Sequence, residues 1–395
     1  MFMIKKRNLI FIIVVAMLVG ALASGGAIYY IGAASGGYTA ITKTEYENYK
    51  LMKERYGKLD ELEKYIEEKY YKPVDEESLK QGMYKGLFWG LGDPYSAYLT
   101  KEEYNEIMIS TTGEYQGIGV TIAPDENGLI NVVSPIDDSP AEKAGIQSGD
   151  KITSVEGHSY SGSNIDAAVA AMRGKPGSSV KITILRNSKS MELEITRANI
   201  VMQTVKSEVM DGNIGYIRIS SFEEKTADDF KQHLRDLELK GVKGFILDLR
   251  DNGGGLVDVS IDVADTLLDE GVVTYTEDRN GNKEYYKSKA GKTNLPYVVL
   301  VNGGTASASE IITGAIKDHK GGPIVGTTTY GKGIIQSVEK LPNGDAVKLT
   351  IMQYFSPDGN VIHKVGIKPD VVVEAQADDK TDKQLEKAIE ILNNK

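Results

Sequence analysis

From Asn8 to Thr42 the chain carries no charged residue, and Lys5-Lys6-Arg7 stands immediately before that run. Few features restrict a fold more, because so long an apolar stretch must be buried in protein or placed in lipid. As a helix, Leu9 to Ile31 would extend roughly 35 Å at about 1.5 Å per residue, enough to cross a bilayer core. The basic flank on its N-terminal side predicts a cytoplasmic N-terminus with the rest of the chain outside. Ala21 to Ser24, "ALAS", also resembles the cleavage site of a secretory signal, which would release a secreted protein. Apolar character resumes at Ala27 to Ile31, and this favours a single-pass anchor. Both readings put the body of the protein on the extracytoplasmic side of the cell membrane.

The 395 residues allow two or three domains, and a hydrophobic fraction of 41% is enough to build their cores. A net charge of −10 argues against a nucleic-acid partner. With no cysteine, disulfides, thiolate nucleophiles and Cys-based metal sites are excluded.

Texture along the chain divides it into five parts: a signal-anchor segment, 1–37; a helical region, 38–100; a β-rich module, 101–198; an α/β core, 199–375; and a terminal helix, 376–395. In the helical region Leu51, Leu59, Leu62, Tyr65 and Ile66 recur at helix-compatible spacing, and Gly92-Asp93-Pro94 breaks the pattern. The β-rich module has short β-prone runs separated by Gly, Pro and Asp. It also has two helices, one opening at Ser139-Pro140 and one carrying Ile165, Val169 and Met172 on one face. From Ile214 strands alternate with helices, which implies an α/β core. In the first of these helices Thr226 is expected to cap and Gly241 to stop. The charged N-terminal and C-terminal helices offer surfaces for a homodimer.

Within the core, "GTTTYGKGIIQ", Gly326 to Gln336, nearly spells a phosphate-binding loop. Such a loop needs a helix after its lysine and a hydroxyl at the next position. Here Gly333 follows Lys332, and the next residues read as strand, turn and strand. A nucleotide cofactor is not implied.

Lys332 fits another role. "LDLRDNGGG" and "LVNGGTASASE" both leave strands through glycines, and in α/β sheets sites form at such exits. Exposed backbone N–H groups there can stabilise an oxyanion. Ser307 and Ser309 both stand at the second exit as candidate nucleophiles, and a helix cap is the alternative job for Ser307. The four histidines lie outside the Gly-rich exits and there is no G-x-S-x-G elbow, although His319 remains a candidate base. A lysine becomes a base when burial disfavours its charged form. Lys332 lies between two glycines and beside Ile334-Ile335, in a segment expected to be buried. If Lys332 to Gln336 is extended, both side chains share a face, and Gln336 can orient the amine. Glu310 and Asp318 would raise the Lys332 pKa if they touched it, so capping is their expected role.

"TASASEI", "GKGIIQ" and "DLRDNGGG" together resemble the carboxyl-terminal processing proteases, also called tail-specific proteases. The resemblance runs over most of the chain after the anchor and includes "GDPYSAYLTKEEY". It implies a serine endopeptidase with an α/β core of the crotonase/ClpP-like type joined to a PDZ-like domain, an α+β multidomain protein overall. It implies Ser307 as nucleophile, Lys332 as base and Gln336 as helper, and maps the oxyanion donors to the N–H groups of Gly254 and Ala308. No metal or other cofactor is implied. Two positions depart from the family pattern: Thr305 stands where many members have Ser. Gly253 stands where many have Pro, which predicts a looser oxyanion loop.

PDZ domains add a peptide as a strand and hold its terminal carboxylate in a backbone nest. "YQGIGVTI" fits that loop: Gly117 and Gly119 let N–H groups converge, while Ile118 and Val120 line an apolar pocket. Val169 and Met172 form the opposite wall, or else simply fill a core. The expected partners are therefore proteins or peptides with apolar C-terminal ends. Arg173, directly after the second helix, is expected to link peptide docking to activity.

Overall fold

The computed structural model describes residues 5–34, 41–374 and 381–394. The chain forms two compact units, Met1–Met83 and Tyr84–Lys395.

In the first unit the uncharged run lies, as far as Ala34, in a helix, Lys6–Ala34, whose stretch Lys6–Tyr30 has a mean hydropathy of 2.5 and no buried share. It is long and apolar enough to cross a membrane. A second helix, Lys43–Lys69, opens with a reciprocal cap in which Thr42 and Glu45 satisfy each other's amides. None of its residues is buried, and Leu51, Leu59, Leu62, Tyr65 and Ile66 are all exposed.

The second unit contains a β-rich module that follows the helix Lys101–Thr112. Its sheet runs Val120–Pro124, Ile130–Pro135, Lys151–Val155, Ser179–Arg186, Lys189–Thr196, with Val120–Pro124 at one edge. The last two strands form the expected hairpin, in register from Ser179 opposite Thr196 to Arg186 opposite Lys189. Val180, Ile182 and Ile184 alternate inward and join Ile130, Val132 and Ile152 in a core. Ser139 caps the short helix Pro140–Lys143 as expected. A second helix, Ile165–Met172, covers the core with Ala168 and Met172.

The α/β core holds a six-stranded sheet in the order Val205–Met210, Ile214–Ile219, Phe245–Asp248, Tyr297–Val301, Ile324–Gly326, Val371–Val372. All pairs after the first are parallel. Its inner strands Phe245–Asp248, Tyr297–Val301 and Ile324–Gly326 are buried on both faces, hence their largely apolar sequence, while the outer strands are partly exposed. Phe245, Leu247, Val299 and Val301 pack with helices Thr226–Leu239, Val257–Leu267 and Ala308–Asp318. Ile246, Val298 and Leu300 point the other way and meet the helix Lys383–Asn393 through Ala388 and Leu392. The apolar face of the C-terminal helix is thus spent inside the chain.

Two further details differ from expectation. Lys225, not Thr226, is the N-cap of Thr226–Leu239, and the Thr226 hydroxyl instead accepts the Glu223 amide at 2.9 Å. In a third sheet Ala346–Phe355 pairs with Ile334–Lys340, both read as strands from sequence, and with Ala97–Leu99 and Gly271–Asp278, which sequence reading passed over.

Candidate active site

Parallel strands end together, so the exits after Phe245–Asp248 and Tyr297–Val301 lie side by side. Asn252 joins them. Its Nδ2 donates to the Ile219 carbonyl at 2.9 Å, and its own carbonyl accepts from the Ala306 amide at 2.9 Å and the Ser309 hydroxyl at 3.0 Å. Ser309 is therefore buried with its hydroxyl engaged on the backbone, whereas Ser307 is partly exposed.

Ser307 is the N-cap of Ala308–Asp318 and has φ 56°, ψ −120°, a strained backbone for a residue with a Cβ. Glu310, fully buried, is what holds it there. Its Oε2 accepts both the Ser307 amide, at 3.0 Å, and the Lys332 amide, at 2.8 Å. Its Oε1 accepts the Thr329 hydroxyl at 2.6 Å and the Gly331 amide at 2.8 Å. Tyr354, also fully buried, directs its hydroxyl at the carbonyls of both Ser307, 2.9 Å away, and Lys332. One carboxylate and one phenol thus clamp residues 307 and 332 together at the backbone.

The Lys332 side chain is half-buried, and its amine lies 5.0 Å from the centre of the Tyr95 ring. Among the described residues no hydrogen bond joins that amine to Ser307 or to Gln336. Its pKa lies below the ordinary lysine value: burial is the chief cause and the Lys348 charge adds to it, while Asp93 and Glu310 pull the other way. The strand Ile334–Lys340 begins after Lys332, and a bulge between Ile335 and Gln336 breaks the alternation expected to align the two side chains. Gln336 donates to the Thr350 hydroxyl at 3.1 Å, and the Thr350 amide donates to Ser96 Oγ at 3.0 Å. "GDPYS" is thereby brought to the site through Tyr95 and Ser96. The strand after Lys332 also leaves no helix terminus for a nucleotide phosphate.

Of the mapped oxyanion donors, Ala308 supplies the first N–H of its helix, which donates to no described group. Gly254 lies against it: a Cβ there would stand 2.7 Å from Ser307 Cβ and 2.9 Å from Ala308 N. Its φ of 101° suits glycine, yet its amide donates to Asn252 Oδ1 at 2.9 Å. The same bond pins the loop expected to be loose at Gly253. Ser307 and His319 cap opposite ends of the 11-residue helix Ala308–Asp318, and the helix's length puts them roughly 18 Å apart at about 1.5 Å per residue. That separation removes it as a base for Ser307. Asp318 accepts the amide of Asp358, in a turn, at 2.9 Å, a structural tie and not the helix cap expected.

Gly117, Ile118, Gly119, Val120, Val169, Met172 and Arg173 all line one cavity of about 300 Å³ between the edge strand and the helix Ile165–Met172. Ile118 and Met172 also belong to the module's core, whereas Val169 does not. Gly119 has φ 80°, and a Cβ would stand 2.3 Å from Ser139 Cβ, so the turn there requires glycine. Among the described residues no hydrogen bond or ion pair links Arg173 to Ser307, Lys332 or Gln336.

Sequence reading missed Glu310 as a clamp, and it missed Asn252, Tyr354 and Tyr95 altogether. Only Asn252 and Tyr95 carried a signal, as parts of the quoted motifs "DNGGG" and "GDPYS". Tyr354 gave none, since its partners are carbonyls in distant segments.

Residues 213–373 match peptidase family S41, residues 116–196 match the PDZ domain, and residues 17–103 match the N-terminal domain of the activating protease CtpB. The chain is 42% identical over 323 residues to the carboxy-terminal processing protease CtpA of Bacillus subtilis, covering 81% of this chain and 69% of that protein. It is 39% identical over 342 residues to the carboxy-terminal-processing protease of Bartonella bacilliformis, covering 84% and 77%. A putative S41 protease from Bacteroides fragilis shares the fold, with a TM-score of 0.51, 18% identity, and coverage of 77% of this chain and 87% of that one.

Proposed function

The chain belongs to peptidase family S41, among the carboxy-terminal processing proteases, and from that premise we propose that it cleaves peptide bonds with Ser307 and Lys332. The observation that carries this reading is the Glu310 carboxylate, whose one oxygen accepts the amides of both residues. Burial supplies the second requirement, an amine that gives up its proton more readily than a free lysine.

In this mechanism the Lys332 side chain swings from Tyr95 to the Ser307 hydroxyl. The neutral amine takes the hydroxyl proton as Oγ attacks the substrate carbonyl. The Ala308 N–H faces the developing oxyanion, joined by Gly254 N–H once it leaves Asn252. The Lys332 ammonium then protonates the leaving amine, and the cycle repeats with water on the acyl-enzyme. Gln336, steadied by Thr350, orients the amine after the swing. No step calls for a metal or another cofactor.

The PDZ cavity recruits protein tails with apolar ends, which add as a strand beside Val120–Pro124 and lead the chain to Ser307. The core is of the crotonase/ClpP-like type. The N-terminal helix anchors the enzyme in the cell membrane with its catalytic part outside, and the exposed apolar residues of Lys43–Lys69 meet a second copy. The test is cleavage of an unstructured peptide with an apolar C-terminus. Lys332→Ala and Ser307→Ala should each abolish it while the melting transition persists. Full activity in either variant would end the proposed mechanism.

A further inference from the structure

Among the described residues the Lys332 amine has no hydrogen bond and no ion pair; it sits instead over the face of the Tyr95 ring, 5.0 Å from its centre. A ring face attracts an ammonium through its quadrupole and offers a neutral amine little. Tyr95 therefore favours the form of Lys332 that cannot take a proton from Ser307. The ring is itself held in place. The Tyr95 amide donates to Asp93 Oδ1 at 3.0 Å, and the Ser96 hydroxyl donates to Asp93 Oδ2 at 2.5 Å. The Thr350 amide ties Ser96 to the strand Ala346–Phe355 at 3.0 Å. The Tyr95 hydroxyl bonds with that of Tyr330, and this bond is the chief reason its pKa lies above the ordinary tyrosine value. The Tyr330 amide donates in turn to the Thr305 carbonyl at 2.9 Å, two residues before Ser307. Ring and nucleophile thus belong to one hydrogen-bonded frame, and only the lysine side chain needs to move between them.

Resting on the Ser307–Lys332 reading above, we propose that Tyr95 is a positioning residue: its ring face docks the Lys332 ammonium off the Ser307 hydroxyl and so sets how much of the resting enzyme is competent. To act, the ammonium gives its proton to water, and the neutral amine, no longer held by the ring, turns to Ser307. A weaker ring face makes that release easier. The other charged groups acting on the amine are Lys348 on the strand Ala346–Phe355, Asp93 in the Tyr95 loop and Glu310 on the helix Ala308–Asp318. Behind the lysine backbone stand Tyr354, His363 and Lys364. The Tyr354 hydroxyl donates to the Lys332 carbonyl, the His363 backbone packs against Gly333, and the Lys364 amide donates to the Gly331 carbonyl at 2.7 Å. None of these groups changes when the Tyr95 ring alone is altered, so a change in the ring reads out the dock.

The test keeps the shape of the ring and changes its electrons. In the full chain in detergent, Tyr95→Phe is compared with the same variant carrying a pentafluorinated phenylalanine at that position, whose face no longer attracts a cation. The rate constant kcat/KM for an unstructured peptide with an apolar C-terminus is measured across pH, because its rising limb reports the free enzyme. The fluorinated ring should move that limb to lower pH than Phe by about 0.5–1 unit and raise kcat/KM on the limb by about 3- to 10-fold, with the two plateaus at high pH coinciding. A singly fluorinated ring should fall between them. Limbs that coincide for all three rings would overturn the proposal and leave the Ser307–Lys332 reading standing. A fall in kcat/KM at every pH with the limb unmoved would overturn it as well, since Tyr95 would then only support its loop. Full activity in Lys332→Ala would remove the Ser307–Lys332 reading and this proposal together.

Discussion

Replacing Glu310 with Gln exchanges one carboxylate oxygen for an NH2 group and removes one charge, and its effect can be worked out from four hydrogen bonds. The carboxylate receives Thr329 Oγ1 at 2.6 Å, the Gly331 and Lys332 amides at 2.8 Å each, and the Ser307 amide at 3.0 Å. A carboxamide accepts only through its oxygen. Whichever way it is turned, its NH2 faces two donors, and those two lose their acceptor. A buried donor left unmatched costs about 1–3 kcal/mol, so the clamp weakens by about 2–6 kcal/mol. Each kcal/mol lowers the melting temperature of a domain of this size by about 2–4 °C. Loss of the Ser307–Lys332 geometry should also cut kcat by about 100-fold or more, with KM little changed, because tail binding occurs elsewhere. A third readout separates positioning from mere stability. The Glu310 charge raises the Lys332 pKa, so its removal should shift the rising limb of the rate–pH profile towards lower pH. Thermal melts and steady-state cleavage across pH would check all three. An unchanged melting temperature with turnover within twofold of the parent would refute the clamp.

Two other substitutions probe the same site. Gly254→Ala sets a methyl 2.7 Å from Ser307 Cβ and 2.8 Å from the Ala306 carbonyl, at a φ of 101°; strain of about 1–3 kcal/mol before any clash should abolish cleavage and lower the melting temperature, and a variant with parental activity would show that this approach is not needed. Lys332→Met tests the sign of the lysine shift. The unfolded lysine titrates at its ordinary 10.5 and the folded one lower, so between those values the unfolded chain binds more protons and the parent's stability rises with pH. The Met variant should melt above the parent by the widest margin below the folded pKa, with the gap closing towards pH 10.5; a pH-independent gap would contradict the burial argument.

Why some of this was legible in sequence and some was not follows from the length scale of each interaction. Period-two and unbroken apolar runs reported the hairpin Ser179–Arg186 with Lys189–Thr196 and the buried strands Phe245–Asp248 and Tyr297–Val301, because burial on one face or both is a local property. Gly-rich strand exits reported where Ser307 and Gly254 would meet, because parallel strands end on one side. A bulge is invisible to such reasoning, and the one between Ile335 and Gln336 was enough to upset the expected alignment of Lys332 with Gln336. The Thr226 cap failed for a related reason, since its hydroxyl was claimed by Glu223 in the preceding turn. Glu310 was readable as a cap from its place three residues after Ser307, but its bonds to Thr329, Gly331 and Lys332 cross about twenty positions and exist only in the fold.

That long-range role resolves an apparent conflict. A carboxylate beside a would-be basic lysine should keep it protonated, and on that ground Glu310 was expected to act only as a cap. It does cap the helix, but its oxygens face the backbone amides of residues 307, 331 and 332. Four donors disperse its charge, so its pull on the Lys332 amine is weaker than burial and the Lys348 charge combined. The carboxylate can therefore hold nucleophile and base together without disabling the base. An acid hydrogen-bonded directly to the amine would hold the same geometry less usefully, because the proton that catalysis must move would be locked on Lys332.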